Sequence, residues 1–248
     1  ESSGSAKNNF TRLIALAFEK RFDYVFFSDQ DDVWLNDKIS SSMEKIRSLE
    51  MVYGKNTPLL VFGDSVVVDE GLQELASSFW EYENLDSDFC NKFNNILLQN
   101  VAQGCTMVFN LALLEKSGVI PNAIVMHDWW LILVASAFGK VDYLDKPLLL
   151  YRQHDTNEVG SRKMSIFSAI SKFIYQRDSI VRSIQNSKIQ AGVFVECFGD
   201  QLPSDILVLA KEYSLLDEKT WLKRKVFCLK NKLRKTSTLR TLGFYIFV

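Results

Sequence analysis

The sequence predicts an α/β fold: a mixed or parallel sheet flanked by helices, followed by a helical C-terminal region. Three observations carry this. Short apolar runs alternate with segments of helical period through the first 160 residues. Beyond about Met164 the strand signals stop and only helical periodicity continues. The composition, 47% hydrophobic and 24% charged over 248 residues, is that of a globular chain long enough to bury a large core.

The elements follow in order. Ser5 is placed to cap a helix through "AKNNFTRLIALAFEK", where Phe10, Leu13, Ile14, Ala17 and Phe18 recur at helical spacing. "YVFFS" (24–28) is a continuous aromatic-rich run, which predicts a strand buried on both faces. A second helix is expected from Asp37 to about Leu49. "PLLVFGDSVVVDE" reads as one or two strands with a bulge or break at Gly63 and Asp64. "CTMVFN" (105–110) predicts a strand, and "LALLEKSG" a short helix stopped by Gly118. "HDWWLILVASAFG" predicts a compact helix ending at Gly139, and "VDYLDKPLLLYRQH" an extended segment interrupted at Pro147. The boundary between residues 1–160 and the helical region 161–248 is set where this alternation ends.

Charge and cysteine usage narrow the class. The net charge of −1 conceals nine Lys and Arg and no acid from Lys219 onward, against 20 basic and 30 acidic residues before it. Such a tail reads as contact with phosphates, at an anionic membrane surface or a nucleic acid, or as a solvated helix face. Four separated cysteines without a C-x-x-C pair argue against a disulfide framework and suit a reducing cytoplasm. With only His127 and His154 in the chain, a histidine-rich metal site is excluded. The first residues are polar throughout and show no signal peptide. The longest apolar stretch, 129–139, is about half the roughly 20 residues a membrane span needs.

Three polar islands interrupt apolar surroundings. In "VFFSDQDDVWL" (25–35) the run ends in Asp29, Asp31 and Asp32. Carboxylates this close disfavour one another's ionisation unless a positive charge lies between them. A hard divalent cation, Mg²⁺ or Mn²⁺, prefers such oxygens and brings a diphosphate with it. The bland alternative is a solvated acidic turn. "HDWW" (127–130) sets His127 and Asp128 before Trp129 and Trp130. A carboxylate opening a helix beside aromatic surface suits a general base, and equally a helix cap. "YRQH" (151–154) offers Arg152 and His154 to phosphate and metal. In "LLQNVAQGCTMVFN", Asn100 and Gly104 stand between a helix end and a strand, where glycine permits either a close backbone approach or a simple turn.

Together these strings resemble the inverting glycosyltransferases of family 2, in their bacterial rhamnosyltransferase-like branch. The matches are "FFSDQDDVWLNDK" (26–38), "LVFGDSVVVDEG" (60–71), "QNVAQGCTMVFN" (99–110), "MHDWWLILVASAFG" (126–139) and "YRQHDTNEVG" (151–160), in order over residues 5 to about 160. The resemblance implies a GT-A, Rossmann-like fold, a divalent metal and a nucleotide-diphospho-sugar donor, with dTDP or UDP as the nucleotide. By the family pattern Asp29 and Asp31 form the D-x-D motif, Asp31 being the direct metal ligand together with His154. Asp32, Trp34 and Arg152 would hold donor and diphosphate. Asp128 would be the catalytic base, with Gly104, His127, Trp129 and Trp130 around the acceptor. That acceptor would be a growing surface polysaccharide or lipid-linked saccharide, met in the cytoplasm or at the inner membrane face, with no nucleic acid involved. The family begins with a stretch that has no counterpart here, so the resemblance also implies that this chain alone binds donor poorly. The expected N-terminally incomplete sheet would expose a strand edge.

Two rival readings remain at this level. One is a non-catalytic remnant that binds a membrane or partner. The other is a haloacid-dehalogenase-type phosphatase, with Asp29 as nucleophile, Asp31 as acid/base and "GDSVVVD" as its late acidic motif. Only 34 residues separate the two motifs, too few for the strands, helices and lysine that lie between them in that fold.

Overall fold

The structure, a computed structural model, describes residues 5–153 and 169–248, and of 169–176 the backbone alone. The fold is mixed α/β. Its first helix, α1 (Ala6–Lys20), is capped by the Ser5 hydroxyl, which accepts from the Asn8 amide. There follow β1 (Tyr24–Phe26), β2 (Val33–Trp34), α2 (Lys38–Tyr53), β3 (Leu59–Val68) and β4 (Glu74–Ala76). The next elements are α3 (Phe79–Tyr82), α4 (Phe93–Leu98), β5 (Val108–Asn110), α5 (Leu111–Ser117), α6 (His127–Phe138) and β6 (Lys140–Arg152). Four further helices complete the described chain: α7 (Ala169–Phe198), α8 (Ser204–Ser214), α9 (Trp221–Lys230) and α10 (Thr238–Phe247).

The strands form one sheet in the order β1-β5-β3-β6-β2, with β4 paired to β3. The β3–β6 pair is parallel and the other pairs are antiparallel. β1, β3 and β6 therefore point the same way, and their carboxyl ends meet on one side of the molecule. Because side chains alternate along a strand, β3 serves both faces. Leu59 and Val61 pack with Ile46 and Leu49 of α2, while Leu60 and Phe62 join the larger core under α1 and α4–α6. α6 lies deepest, fully burying Trp130 to Ala135.

The break expected at Gly63–Asp64 is a change of register between β3 and β6, within a single strand. Three expectations are corrected. β1 is three half-buried residues at a sheet edge rather than a strand buried on both faces, because only β5 pairs with it among the described residues. α2 continues one turn beyond Leu49 to Gly54, whose φ of 88° ends it. In 105–110 only the last three residues are strand, since Gly104–Thr106 forms a tight 3₁₀ turn against α6.

The expected boundary at 160 lies outside the described residues. The described segments before and after it share one core: Phe194 and Phe198 of α7 pack on Trp130, with ring centroids 6.0 and 5.7 Å away. Gly139 makes the crossing from α6 to β6 possible. A Cβ there would lie 1.8 Å from the Pro58 carbonyl oxygen, which itself accepts from the Lys140 amide. Gly139→Ala is expected to cost at least the ~1–3 kcal/mol typical of overpacking. Thermal denaturation would read this as a fall of roughly 2–4 °C per kcal/mol.

Candidate active site

The carboxyl ends of β1, β3 and β6 converge, and Arg152 ties them together. It is the last residue of β6. Its backbone N–H donates to Asp32 Oδ1 at 3.2 Å, and its guanidinium Nε donates to the Asp31 carbonyl at 3.0 Å. A second guanidinium nitrogen donates to the Glu70 carbonyl. One side chain thus fixes both the acidic loop after β1 and the loop after β3. A cavity of about 880 Å³ opens here, lined by Asp29, Asp31, Gly104, His127, Asp128 and Arg152 among others. Crevices at the carboxyl ends of strands are where α/β sheets bind ligands.

Asp29 and Asp32 approach Cys105 closely enough that one ligand atom from each lies within 4.8 Å of the others. The Asp29 carboxyl is pushed up to about 6, by burial first and then by the negative charges of Asp32, Asp31 and Asp128. Burial also raises Asp32, opposed by the Arg152 amide and more weakly by Lys38. The Cys105 thiol is raised well above its ordinary range by burial and these carboxylates. Two carboxylates that resist ionisation in the absence of a counter-charge fit a hard divalent cation, whose charge would remove their penalty. A buried protonated thiol is a poor ligand for such an ion.

Lys38, the first residue of α2, is fully buried beside them. Its Nζ donates to the Cys105 carbonyl at 2.5 Å and sits 3.9 Å from the centre of the Trp34 ring. Burial lowers its pKa to about 8, against the raising influence of Cys105, Asp32 and Asp29. The sequence offered no signal for this role, because a lysine opening a polar helix reads as solvent-exposed. Removing this cation in Lys38→Met is expected to raise the Asp29 midpoint further above about 6. Carboxyl NMR titration would measure it. The lost hydrogen bond should cost about 1–3 kcal/mol.

Asp128, which also lines the cavity, lies in the first turn of α6, one residue beyond the first helical position. Met126 occupies the capping position, so Asp128 is not the N-cap. Its Oδ1 accepts from the Trp129 amide at 2.6 Å. Burial lifts its pKa to about 6 despite hydrogen bonds from the Trp129 amide, the Asn100 side chain and the Gly104 amide. Gly104 is tight against this group: a Cβ there would stand 3.3 Å from His127 Nε2 and 3.4 Å from Asp128 Cβ. Gly104 thus combines both readings, opening the 3₁₀ turn and approaching Asp128 closely. His127 stacks on Phe10 at 4.3 Å and meets Phe27 edge-on at 5.2 Å. Trp129 lines the cavity and donates through its indole N–H to the Ile96 carbonyl at 2.7 Å.

Three expected residues stand off the cavity wall: Asp32, whose carboxylate accepts from the Arg152 amide beside Cys105, and two tryptophans. Trp130 does not line the cavity: one helical step turns it into the core, where it is wholly buried against α7. Trp34 forms a platform under Lys38 and is likewise absent from the cavity wall. His154 lies outside the described residues. Asp64, the late acidic residue of the phosphatase reading, accepts from Ser78 Oγ and the amides of Ser65, Phe79 and Trp80. It is committed to starting α3 and faces no part of the cavity.

No family model matches the chain, and no solved structure does. A search of curated proteins finds similarity to the dTDP-rhamnosyl transferase RfbG of Shigella flexneri, 32% identical over 167 residues. The match takes in 64% of this chain and 52% of that protein, so the chain spans about half the length of the curated relative it matches. This similarity supports a glycosyltransferase-like family.

Proposed function

We propose that the chain carries the catalytic centre of an inverting, metal-dependent glycosyltransferase of family 2. It would move a sugar, rhamnose in first place, from a dTDP- or UDP-linked donor to a hydroxyl of a growing surface polysaccharide or lipid-linked saccharide. The observation that carries this reading is the single cavity into which Asp29 and Asp128, 99 positions apart in sequence, both face. A one-step displacement at an anomeric carbon requires an acidic cluster and a separate carboxylate around one cavity. The similarity to a dTDP-rhamnosyl transferase supports the transferase class and the sugar.

In this reading Asp128 accepts the proton of the acceptor hydroxyl as its oxygen bonds to the anomeric carbon. The bond from that carbon to the diphosphate oxygen breaks, and its electron pair leaves with the diphosphate. Asp29, Asp31 and Asp32, with His154, would hold a Mg²⁺ or Mn²⁺ ion. When bound, that ion supplies positive charge against the departing diphosphate. Arg152 keeps the acidic loop in register with the loop after β3, and Gly104 lets the backbone donate to Asp128. We place the reaction in the cytoplasm, at or near the inner membrane face, where a lipid-linked acceptor would be met.

Calorimetric titration of Mn²⁺ with dTDP and with UDP tests the donor half, on this chain and on the complete gene product. Nucleotide binding by the complete product, lost in Asp31→Ala, is expected. Failure of the complete product to bind either nucleotide, with or without metal, would overturn the reading.

A further inference from the structure

The last two helices turn their apolar sides outward. In α9 the inner side is marked by buried Cys228 and half-buried Phe227. On the opposite side Leu222, Val226 and Leu229, at positions i, i+4 and i+7, form a stripe with Trp221 at its rim. In α10 buried Phe244 marks the inner side, and Leu239, Leu242 and Ile246 form a second stripe at i, i+3 and i+7. These seven side chains are 56–81% exposed. Single exposed apolar residues need no explanation, but contiguous stripes mark an interaction surface. The two stripes are held together by Lys225 of α9. Its ammonium lies 5.4 Å from the Trp221 ring centre, donates to the Val248 carbonyl at 2.9 Å, and also meets the Tyr245 carbonyl on α10.

Charge identifies the occupant. Lys223, Lys230 and Lys232 border the stripes, are exposed, and form no ion pair among the described residues. No acid occurs from Lys219 to Val248. A second copy meeting this face about a two-fold axis would set like charges against each other. Protein interfaces are depleted in lysine at their cores. An apolar stripe flanked by lysines is instead the composition of a helix lying in the headgroup region of an anionic bilayer. No described helix is long and apolar enough to cross a membrane, so the contact would be peripheral.

We propose that α9 and α10 together form a docking face for an anionic phospholipid surface. Arg240 of α10 turns away from this face. It is the neighbour of Leu239, lines the cavity, and pairs with Glu83 on the cavity wall at 3.4 Å. The α10 stripe and the cavity are two sides of one helix. The docking face rests on these two helices alone and stands whatever the cavity catalyses.

The test is co-sedimentation of the chain with vesicles of phosphatidylcholine and phosphatidylglycerol in equal parts, against vesicles of phosphatidylcholine alone. Binding to the anionic vesicles, weakened by salt, is expected. The triple variant Lys223→Gln, Lys230→Gln, Lys232→Gln should lose about fivefold per charge, roughly a hundredfold in all. Leu222→Ser with Leu229→Ser, and Leu239→Ser with Leu242→Ser, should each abolish sedimentation while circular dichroism shows unchanged helix. Three results would overturn the proposal. One is no vesicle binding by the parent chain. Another is binding that survives these variants and is lost in Leu13→Ser with Leu16→Ser, on the exposed side of α1. The third is a lipid-free dimer in light scattering that the same α9 or α10 variants dissociate, which would make a second copy the occupant.

Discussion

Asp128→Asn is expected to leave nucleotide binding intact and to lower sugar transfer by about 10²–10⁴-fold, the contribution of a positioned general base. The substitution is nearly isosteric and keeps an oxygen for the Trp129 amide, so the start of α6 should survive it. What it removes is the proton acceptor. Burial has brought that carboxyl to about 6, where a base is both ionised at neutral pH and strong enough to share a proton in the transition state. At saturating Mn²⁺, transfer by the parent enzyme should therefore fall about tenfold per unit as pH drops below 6, and the residual rate of the variant should lose that dependence. Stability carries the opposite sign. An acid raised on folding binds its proton more tightly in the folded chain. The ligand-free protein should lose stability as pH rises from the ordinary aspartate range near 4 to about 6, and be level above it. Asp128→Asn should therefore be more stable than the parent at pH 7 and no more stable at pH 4, read from thermal midpoints at the two values. A variant that binds nucleotide and transfers at the parental rate would remove Asp128 from the reaction.

Much of this site was legible in the sequence because its chemistry sits where regular structure stops. An apolar run that ends in three aspartates, a helix that opens on His-Asp, and a glycine before a strand are each local signals, and the fold brings them around one cavity. Contacts made at a distance were not legible. Lys38 and Cys105 are 67 positions apart, and nothing local to either predicts that an ammonium and a backbone carbonyl meet under two carboxylates. The choice between Trp129 and Trp130 was also out of reach. α6 is apolar nearly all round, so its periodicity does not say which tryptophan faces the cavity and which faces α7. The same limit applies to the sheet edge: "YVFFS" is apolar enough for a central strand, and only its single partner strand shows it to be peripheral among the described residues. For α9 and α10 the composition announced a basic, apolar tail. Which side of each helix points outward depended on where Cys228 and Phe244 were buried.

Divalent-cation binding at the loop after β1 is expected to weaken about tenfold between pH 7 and pH 5 and to release a proton as it occurs. The reason is electrostatic. With the site empty, Asp29 holds its proton up to about 6, because burial and three neighbouring carboxylates oppose its charge. A cation reverses that balance and must displace the proton at pH 5, but scarcely at pH 7. Mn²⁺ titration in two buffers of different ionisation enthalpy counts the protons directly. Asp29→Asn should weaken binding at pH 7 and flatten its pH dependence. His154→Gln separates the other candidate source, since an imidazole also titrates in this range: if Asp29 supplies the proton, release persists in that variant. Lys38→Met should move the dependence to higher pH, since it removes a positive charge that now favours the ionised carboxylates. Metal affinity that does not change between pH 5 and 7 would mean that the ion avoids Asp29. Coordination would then fall to Asp31, as the family resemblance implies, and the Asp29–Asp32–Cys105 cluster would serve only to shape the loop that Arg152 holds.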